Sequence, residues 1–249
     1  MAELVELRGK TALITGAAKR IGAAIALRLA REGVHIVVHY QTSQAEAEAL
    51  AVDLRGLGVQ VNLVQADLAQ PGAGEALFAQ TLEAAGPIDF LVNNASIFPT
   101  DTFADLDENK LALNMQIHAL APVALGRALH AQGREGAIVN LLDARMNDYD
   151  QAHLAYHLSK RTLSALTRIM AVEFAPRVRV SGVAPGLSLP PEGKDLAYLQ
   201  GLAHTNPLQR YGSAEGIAEA VVFLLRSGFV TGQTIYVDGG RHLKGDFYG

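Results

Sequence analysis

Three residues of this chain have the types and spacing of a proton-transfer site. Tyr156 and Lys160 stand four apart, and Asp143 lies thirteen residues before the tyrosine. On a helix, positions i and i+4 share a face, so the Lys160 ammonium is expected under the Tyr156 hydroxyl. A cation there favours the phenolate and lowers a reference pKa of about 10 toward neutrality, which suits a proton donor working near pH 7. Asp143 is a group with which that proton can be shared. By itself a Tyr-x-x-x-Lys pair also describes an ordinary solvated helix face, so its meaning depends on the elements around it.

A second chemistry-bearing segment lies near the N-terminus. The β-branched and apolar run Thr11-Ala12-Leu13-Ile14-Thr15 leads into Gly16-Ala17-Ala18-Lys19-Arg20-Ile21-Gly22, and an Ala- and Leu-rich helical pattern follows to about Arg31. Gly16 permits a tight turn, Gly22 lets the helix pack closely, and the first helical amides offer partial positive charge to a pyrophosphate. Arg20 holds the place of the middle glycine of a Gly-x-Gly-x-x-Gly pattern and the span is longer, so the glycines alone also fit an ordinary strand–helix turn. After the second strand candidate the chain reads Val38-His39-Tyr40-Gln41-Thr42-Ser43, and the first acid is Glu46. A carboxylate there would accept the ribose hydroxyls of NAD. Its absence, with Lys19 and Arg20 in the turn, favours NADPH. The competing reading of Lys19 is a solvated loop cation.

These segments need elements to bring them together. Strand candidates Ala12–Thr15, His35–His39, Val59–Gln65, Phe90–Asn93, Ala137–Leu141, Arg179–Ala184 and Thr234–Val237 alternate with helical patterns at Ile21–Glu32, Ser43–Leu57, Gly74–Ala84, Leu106–Ala131, Ala152–Phe174 and Ala214–Leu225. The alternation predicts an α/β fold, a single doubly wound, Rossmann-like parallel sheet with helices on both faces. The segment Gly186–Ser213, with Pro190-Pro191, Gly193, Gly201 and Asn206-Pro207, has room for only a short helix and reads as a functional loop. Ligands of doubly wound sheets sit outside the carboxyl ends of the strands. That rule gathers Gly16–Gly22, His39–Ser43, Asp67 and Leu68, Asn93–Phe98, Leu142 and Asp143, and Pro185–Ser188 on one rim.

Composition narrows the partners. The 249 residues, 49% hydrophobic and 18% charged, suit one domain with a large core, and no repeat or linker divides them. A net charge of −4 without a Lys/Arg block argues against nucleic acid or an anionic membrane, which leaves a small molecule. No apolar run is long enough to span a bilayer and Met1–Gly9 carries no leader-like pattern, so a cytoplasmic protein is expected. The lack of cysteine removes disulfides, thiol nucleophiles and Cys-type metal sites, and no metal is expected.

Over essentially its full length the chain resembles the short-chain dehydrogenase/reductases. The matching features are Thr15-Gly16, Asp67, Asn93-Asn94-Ala95, Tyr156-x-x-x-Lys160, Pro185-Gly186 and the C-terminal Thr231-Gly232 and Val237-Asp238-Gly239-Gly240. Within that superfamily it resembles the pteridine reductase branch, which includes bacterial dihydromonapterin and dihydrofolate reductases. The narrower likeness rests on the Thr15-Gly16-x-x-x-Arg20-x-Gly22 turn, Ser96-Ile97-Phe98 after Asn94-Ala95, Asp143 where most members have serine, and Pro185-Gly186-Leu187-Ser188.

The resemblance implies an NADPH-dependent reduction of a pterin, dihydropterin or dihydrofolate. Hydride goes to a ring carbon, and Tyr156, tuned by Lys160 and assisted by Asp143, delivers a proton to the adjacent nitrogen. The implied cofactor residues are Gly16, Lys19, Arg20, Ile21, Gly22, His39 to Ser43, Asp67, Leu68, Asn94, Ala95, Ser96, Tyr156, Lys160, Pro185, Gly186 and Ser188. Arg20, Ser96, Phe98, Asp143 and Tyr156 face the substrate. Burial is expected to raise the Asp143 pKa, keeping an acid available for a ring nitrogen that a serine would not serve. Asp143 as a loop cap and Phe98 as plain core are the alternatives. The family's relay asparagine has two candidates here, Asn114 and His118, and His118 also fits a plain buried helix residue. A homodimer or homotetramer through Leu106–Ala131 and Ala152–Phe174 is implied as well. Two other activities stay open: a carbonyl or 3-oxoacyl reductase, and a dinucleotide-binding regulator without turnover.

Overall fold

A computed structural model of the chain describes residues 4–146, 151–191 and 193–244, so part of the Met1–Gly9 stretch lies outside it. Short aliphatic and β-branched runs form β1 (Thr11–Ile14), β2 (His35–Tyr40), β3 (Val61–Gln65), β4 (Phe90–Asn93), β5 (Gly136–Leu141), β6 (Val178–Pro185) and β7 (Thr234–Val237). Between them run α1 (Arg20–Arg31), α2 (Gln44–Gly56), α3 (Ala73–Ala85), α4 (Glu108–Met115), α5 (Ala121–Ala131), α6 (Leu154–Glu173), α7 (Leu196–Leu202) and α8 (Ala214–Arg226). The strands pair in parallel in the order β3-β2-β1-β4-β5-β6-β7, which is the expected doubly wound sheet.

Strand side chains alternate between two cores. Ala12, Ile14, Ile36 and Val38 pack with Ile25 of α1, Leu50 of α2 and Ile217 of α8. Leu13 and Val37 point the other way, to Phe78 of α3, Leu125 of α5 and Met170 of α6. A sheet covered on both faces needs apolar residues at every strand position, which is why these strands read as continuous runs.

One helix departs from the expected pattern. The apolar periodicity of Leu106–Ala131 predicts one helix, but α4 and α5 are separated by a π-helical turn at Gln116–Leu120. The Ala121 N–H reaches back five residues to the Gln116 carbonyl, and Pro122 has no N–H with which to resume the ordinary ladder. The loop Gly186–Ser213 contains α7, started by the Asp195 carboxylate, which accepts from the Ala197 N–H at 3.0 Å.

The turn between β1 and α1 is shaped by its glycines and clasped by a histidine. Gly16 has a φ of 61°, and a Cβ on Gly22 would overlap the Gly16 carbonyl and lie 2.8 Å from Ala17 Cα. His39 Nδ1 accepts the Gly16 N–H at 3.0 Å, and its own carbonyl accepts the Ala17 N–H at 2.9 Å. With Nδ1 bare, Nε2 carries the hydrogen and donates to Ala66 O at 3.2 Å. Burial lowers the His39 pKa from 6.5 to about 4, against a smaller opposing effect of the Ala66 carbonyl. Between those values the unfolded chain binds a proton that the folded chain refuses, so stability falls as pH drops from 6.5 toward 4. His118, whose pKa burial lowers in the same way, adds to this decline. Urea unfolding midpoints of His39→Asn, which keeps an acceptor for Gly16, should fall less steeply over this window than those of the wild type. Parallel curves would show that His39 does not contribute.

Candidate active site

At the split between β1 and β4 a cavity of about 330 Å³ opens. Its lining contains Gly16, Lys19, Arg20, Ile21, Gly22, His39, Tyr40, Gln41, Thr42, Ser43, Asp67, Leu68, Asn94, Ala95 and Ser96, all of them expected there. Several serve the wall itself. Asn94 Nδ2 donates to the carbonyls of Thr15 and Gly16, each at 2.9 Å, and Thr15 Oγ1 accepts the N–H groups of Asn94 and Ala95 at 2.9 and 3.0 Å. Asp67 accepts from Gln41 Nε2, Gln70 Nε2 and the Ala69 N–H. Arg20 has a φ of 58°, costly for a residue with a side chain, and its Nη2 donates to Pro190 O at 2.7 Å, joining the turn to the 186–213 loop.

Pro185, Gly186 and Ser188 sit beyond this cavity, at the end of β6. Gly186 packs so close to Asp238 that a Cβ would lie 2.6 Å from the Asp238 Cα. The Ser188 hydroxyl is buried and has no hydrogen-bond partner among the described residues.

The proton-transfer trio assembles at the N-terminal part of α6. Tyr156 donates its hydroxyl to Asp143 Oδ2 at 3.0 Å, while the Arg145 N–H donates to Asp143 Oδ1 at 2.7 Å. Lys160 lies on the same helical face, but its Nζ donates to the Leu141 carbonyl at 2.7 Å and stands 5.7 Å from the centre of the tyrosine ring. The Tyr156 pKa is accordingly raised well above 10, first by burial and then by the negative charge of Asp143 and the hydrogen bond to it. This overturns the expectation that Lys160 draws the tyrosine toward neutrality. Burial lowers the Lys160 pKa to about 8, with Asp143 opposing.

Phe98 is 51% exposed, which excludes the core reading. One face stacks on His153 at 3.7 Å between centroids, and Tyr156 meets the ring edge-on at 4.7 Å. Asn114 is buried within its own helix, where Nδ2 donates to Lys110 O. His118 instead meets Tyr156 edge-on at 5.4 Å and lies 3.0 Å from Ser96 Oγ, so it is the residue beside the tyrosine. Burial, then the Lys160 charge, lowers its pKa to about 2.

Three positioning groups carry no sequence signal. Asp101, buried, caps α6 from outside by accepting the Ala155 N–H at 3.1 Å. His153 is fixed by a 2.9 Å contact between Nδ1 and Pro99 O. Ser159 bridges His118 and the Tyr156 carbonyl. Among the described residues no group of three or more His, Asp or Glu could hold a metal ion, and no helix is long and apolar enough to cross a membrane.

Comparison with known proteins identifies the family. A family model described as enoyl-(acyl carrier protein) reductase matches residues 16–242. The NADP complex of FolM alternative dihydrofolate reductase 1 from Brucella canis is 34% identical and superposes with a TM-score of 0.88, covering 96% of each chain. The 3-oxoacyl-[acyl-carrier-protein] reductase of Staphylococcus epidermidis is 32% identical over 94% of this chain and 99% of its own length. L-xylulose reductase of Mesocricetus auratus is 33% identical over 94% and 97%. With a family match across almost the whole sequence and relatives of this identity end to end, the chain belongs to the short-chain dehydrogenase/reductase superfamily of oxidoreductases.

Proposed function

We propose that the protein uses NADPH to reduce a pterin, dihydropterin or dihydrofolate. The observation that carries this reading is the hydrogen bond from Tyr156 to Asp143 at 3.0 Å beside the half-exposed ring of Phe98. A hydrogen-bonded acid pair beside a flat apolar wall suits a nitrogen heterocycle. The likeness to the Brucella canis enzyme points the same way.

The residues present fit the cofactor. The glycines let the turn pack against Ala95 and the start of α1 so that its backbone lines the cavity, Lys19 and Arg20 flank it, and Tyr40 to Ser43 form an acid-free wall for a 2′-phosphate. The unpartnered buried hydroxyl of Ser188 is suited to a polar group of the same ligand. NADPH, when bound, supplies the hydride.

The chain's own groups manage the proton. Tyr156 gives its hydroxyl proton to a substrate nitrogen, and Lys160, anchored on the Leu141 carbonyl along the same helical face, suits the nicotinamide ribose hydroxyls. Asp143, partly open to solvent and fixed by the Arg145 N–H, orients the hydroxyl and relays a replacement proton to it. Phe98 forms one side of a slot for the heterocycle. Arg20 and Ser96 hold the substrate at the rim, and the 186–213 loop covers it. Exposed Leu113, Leu120, Ile169 and Val172 on α4, the π turn and α6 suit a homodimeric or homotetrameric contact. A carbonyl or 3-oxoacyl reductase is the second reading, favoured by the match to the acyl-carrier reductase family. The assembled trio argues against a regulator without turnover.

NADPH should bind more tightly than NADH in a fluorescence titration, and Tyr40→Asp should shift the preference toward NADH by repelling the 2′-phosphate. Equal affinities would remove the cofactor argument.

Tyr156→Phe should lower turnover by about a hundredfold or more while NADPH still binds. Phe98→Ala should raise the pterin KM with little change in NADPH affinity. Retained turnover in the first variant would mean that another acid does the work.

Initial rates with dihydrobiopterin, dihydromonapterin, dihydrofolate, simple ketones and a 3-oxoacyl thioester test the substrate class. Asp143→Ser should impair pterin reduction and leave or raise weak ketone reduction. Full pterin activity in that variant would make Asp143 only a loop cap.

A further inference from the structure

His118 is 1% exposed and uses both ring nitrogens on neighbouring segments of the site. The Ile97 N–H points at Nε2 from 3.1 Å. A backbone N–H can only donate, so Nε2 is bare and Nδ1 carries the ring hydrogen. That hydrogen goes to Ser159 Oγ at 2.8 Å, and the Ser159 hydroxyl in turn donates to the Tyr156 carbonyl at 2.6 Å. Ser96 Oγ lies 3.0 Å from the same Nε2. The ring also packs edge-on against Tyr156, at 88°. The π turn delivers the imidazole here: His118 is its central residue, between Gln116 and Leu120.

We propose that His118 is a positioning residue for proton delivery, whose neutral imidazole locks the rim segment Ser96–Phe98 to the turn of α6 that carries Tyr156. On one side it fixes Ser96 and Ile97, on the other the backbone of Tyr156 through Ser159. The wall against which a substrate lies and the hydroxyl that protonates it are thereby held in one register. Loss of that register lowers the rate of the chemical step more than it loosens cofactor binding, because the phosphate turn is clasped separately by His39 and Asn94. The inference rests on Tyr156 as the acid and not on the pterin reading.

The test compares His118→Phe, His118→Asn, Ser159→Ala and the His118→Phe/Ser159→Ala double variant. kcat is measured on whichever substrate, pterin or carbonyl, the wild type reduces, and NADPH affinity by fluorescence titration. His118→Phe keeps a ring against Tyr156 but neither nitrogen, and should lower kcat by about ten- to a hundredfold with NADPH affinity nearly kept. His118→Asn, whose shorter amide can still donate from near the Nδ1 position toward Ser159 but does not reach the Ile97 N–H, should recover part of that loss. Ser159→Ala should give a smaller loss that does not add to the loss in His118→Phe, since both variants break one network. Wild-type kcat in His118→Phe, no recovery in His118→Asn, or additive losses would overturn the proposal. If His118→Phe does not fold, Ser159→Ala decides: wild-type kcat overturns the proposal, and a several-fold lower kcat with NADPH affinity kept supports it. Failure of the pterin reading leaves this comparison intact, because the ratio is taken on any substrate that is turned over.

Discussion

The split between β1 and β4 has to be held at one width, and a single hydrogen-bonded staple sets it. Beyond these two strands the chain turns away in opposite directions, so the carbonyls of Thr15 and Gly16 lose the ladder partners that the sheet would otherwise give them. Asn94 supplies both from one amide, and Thr15 Oγ1 answers with the N–H groups on the other bank. Each such bond is worth about 1 kcal/mol net, but an orphaned carbonyl in this position would cost more. Gly16 meets Ala95 across the staple, and a side chain there would lie 2.9 Å from the Ala95 Cα. The phosphate turn, Ser96 and Phe98 therefore share one crevice because the two banks are joined at its root.

Charge balance in the catalytic corner follows from burial. Tyr156 and Lys160 lie where there is little water, so the tyrosine is pushed toward its protonated form and the lysine toward its neutral one, with the carboxylate of Asp143 at the more open side. A tyrosine that keeps its proton is the form a donor must start from. The hydrogen bond to Asp143 then gives the hydroxyl a fixed direction. Lys160 stays near the middle of its titration at about pH 8, so its charge responds to whatever shares the corner with it.

The sheet and the rim were legible because strands buried on both faces leave unbroken aliphatic runs, and because one topological rule gathers their carboxyl ends. What could not be read depends on contacts between distant segments. The apolar spacing continues smoothly through Gln116–Leu120, so nothing in the pattern marks the π turn until the missing N–H of Pro122 is placed beside its partners. Asp101 caps a helix that begins more than fifty residues later, beyond the reach of any local capping signal. The choice between Asn114 and His118 needed Ser96, Ile97 and Ser159 to be located. The i,i+4 rule put Lys160 on the face of Tyr156 but said nothing about the Leu141 carbonyl that draws the ammonium away from the hydroxyl.

At Arg20 a long side chain stands in a glycine position of the phosphate turn. Its backbone accepts a left-handed conformation, and in return the guanidinium spans from the turn to Pro190. That bond is exposed and lies outside either apolar core. In contact with water such a bond adds little to stability, so its part is to set where the loop lies rather than to hold the fold together. Swinging the guanidinium away from Pro190 would therefore change how the loop meets the phosphate turn while leaving the sheet pairing and both apolar cores as they are.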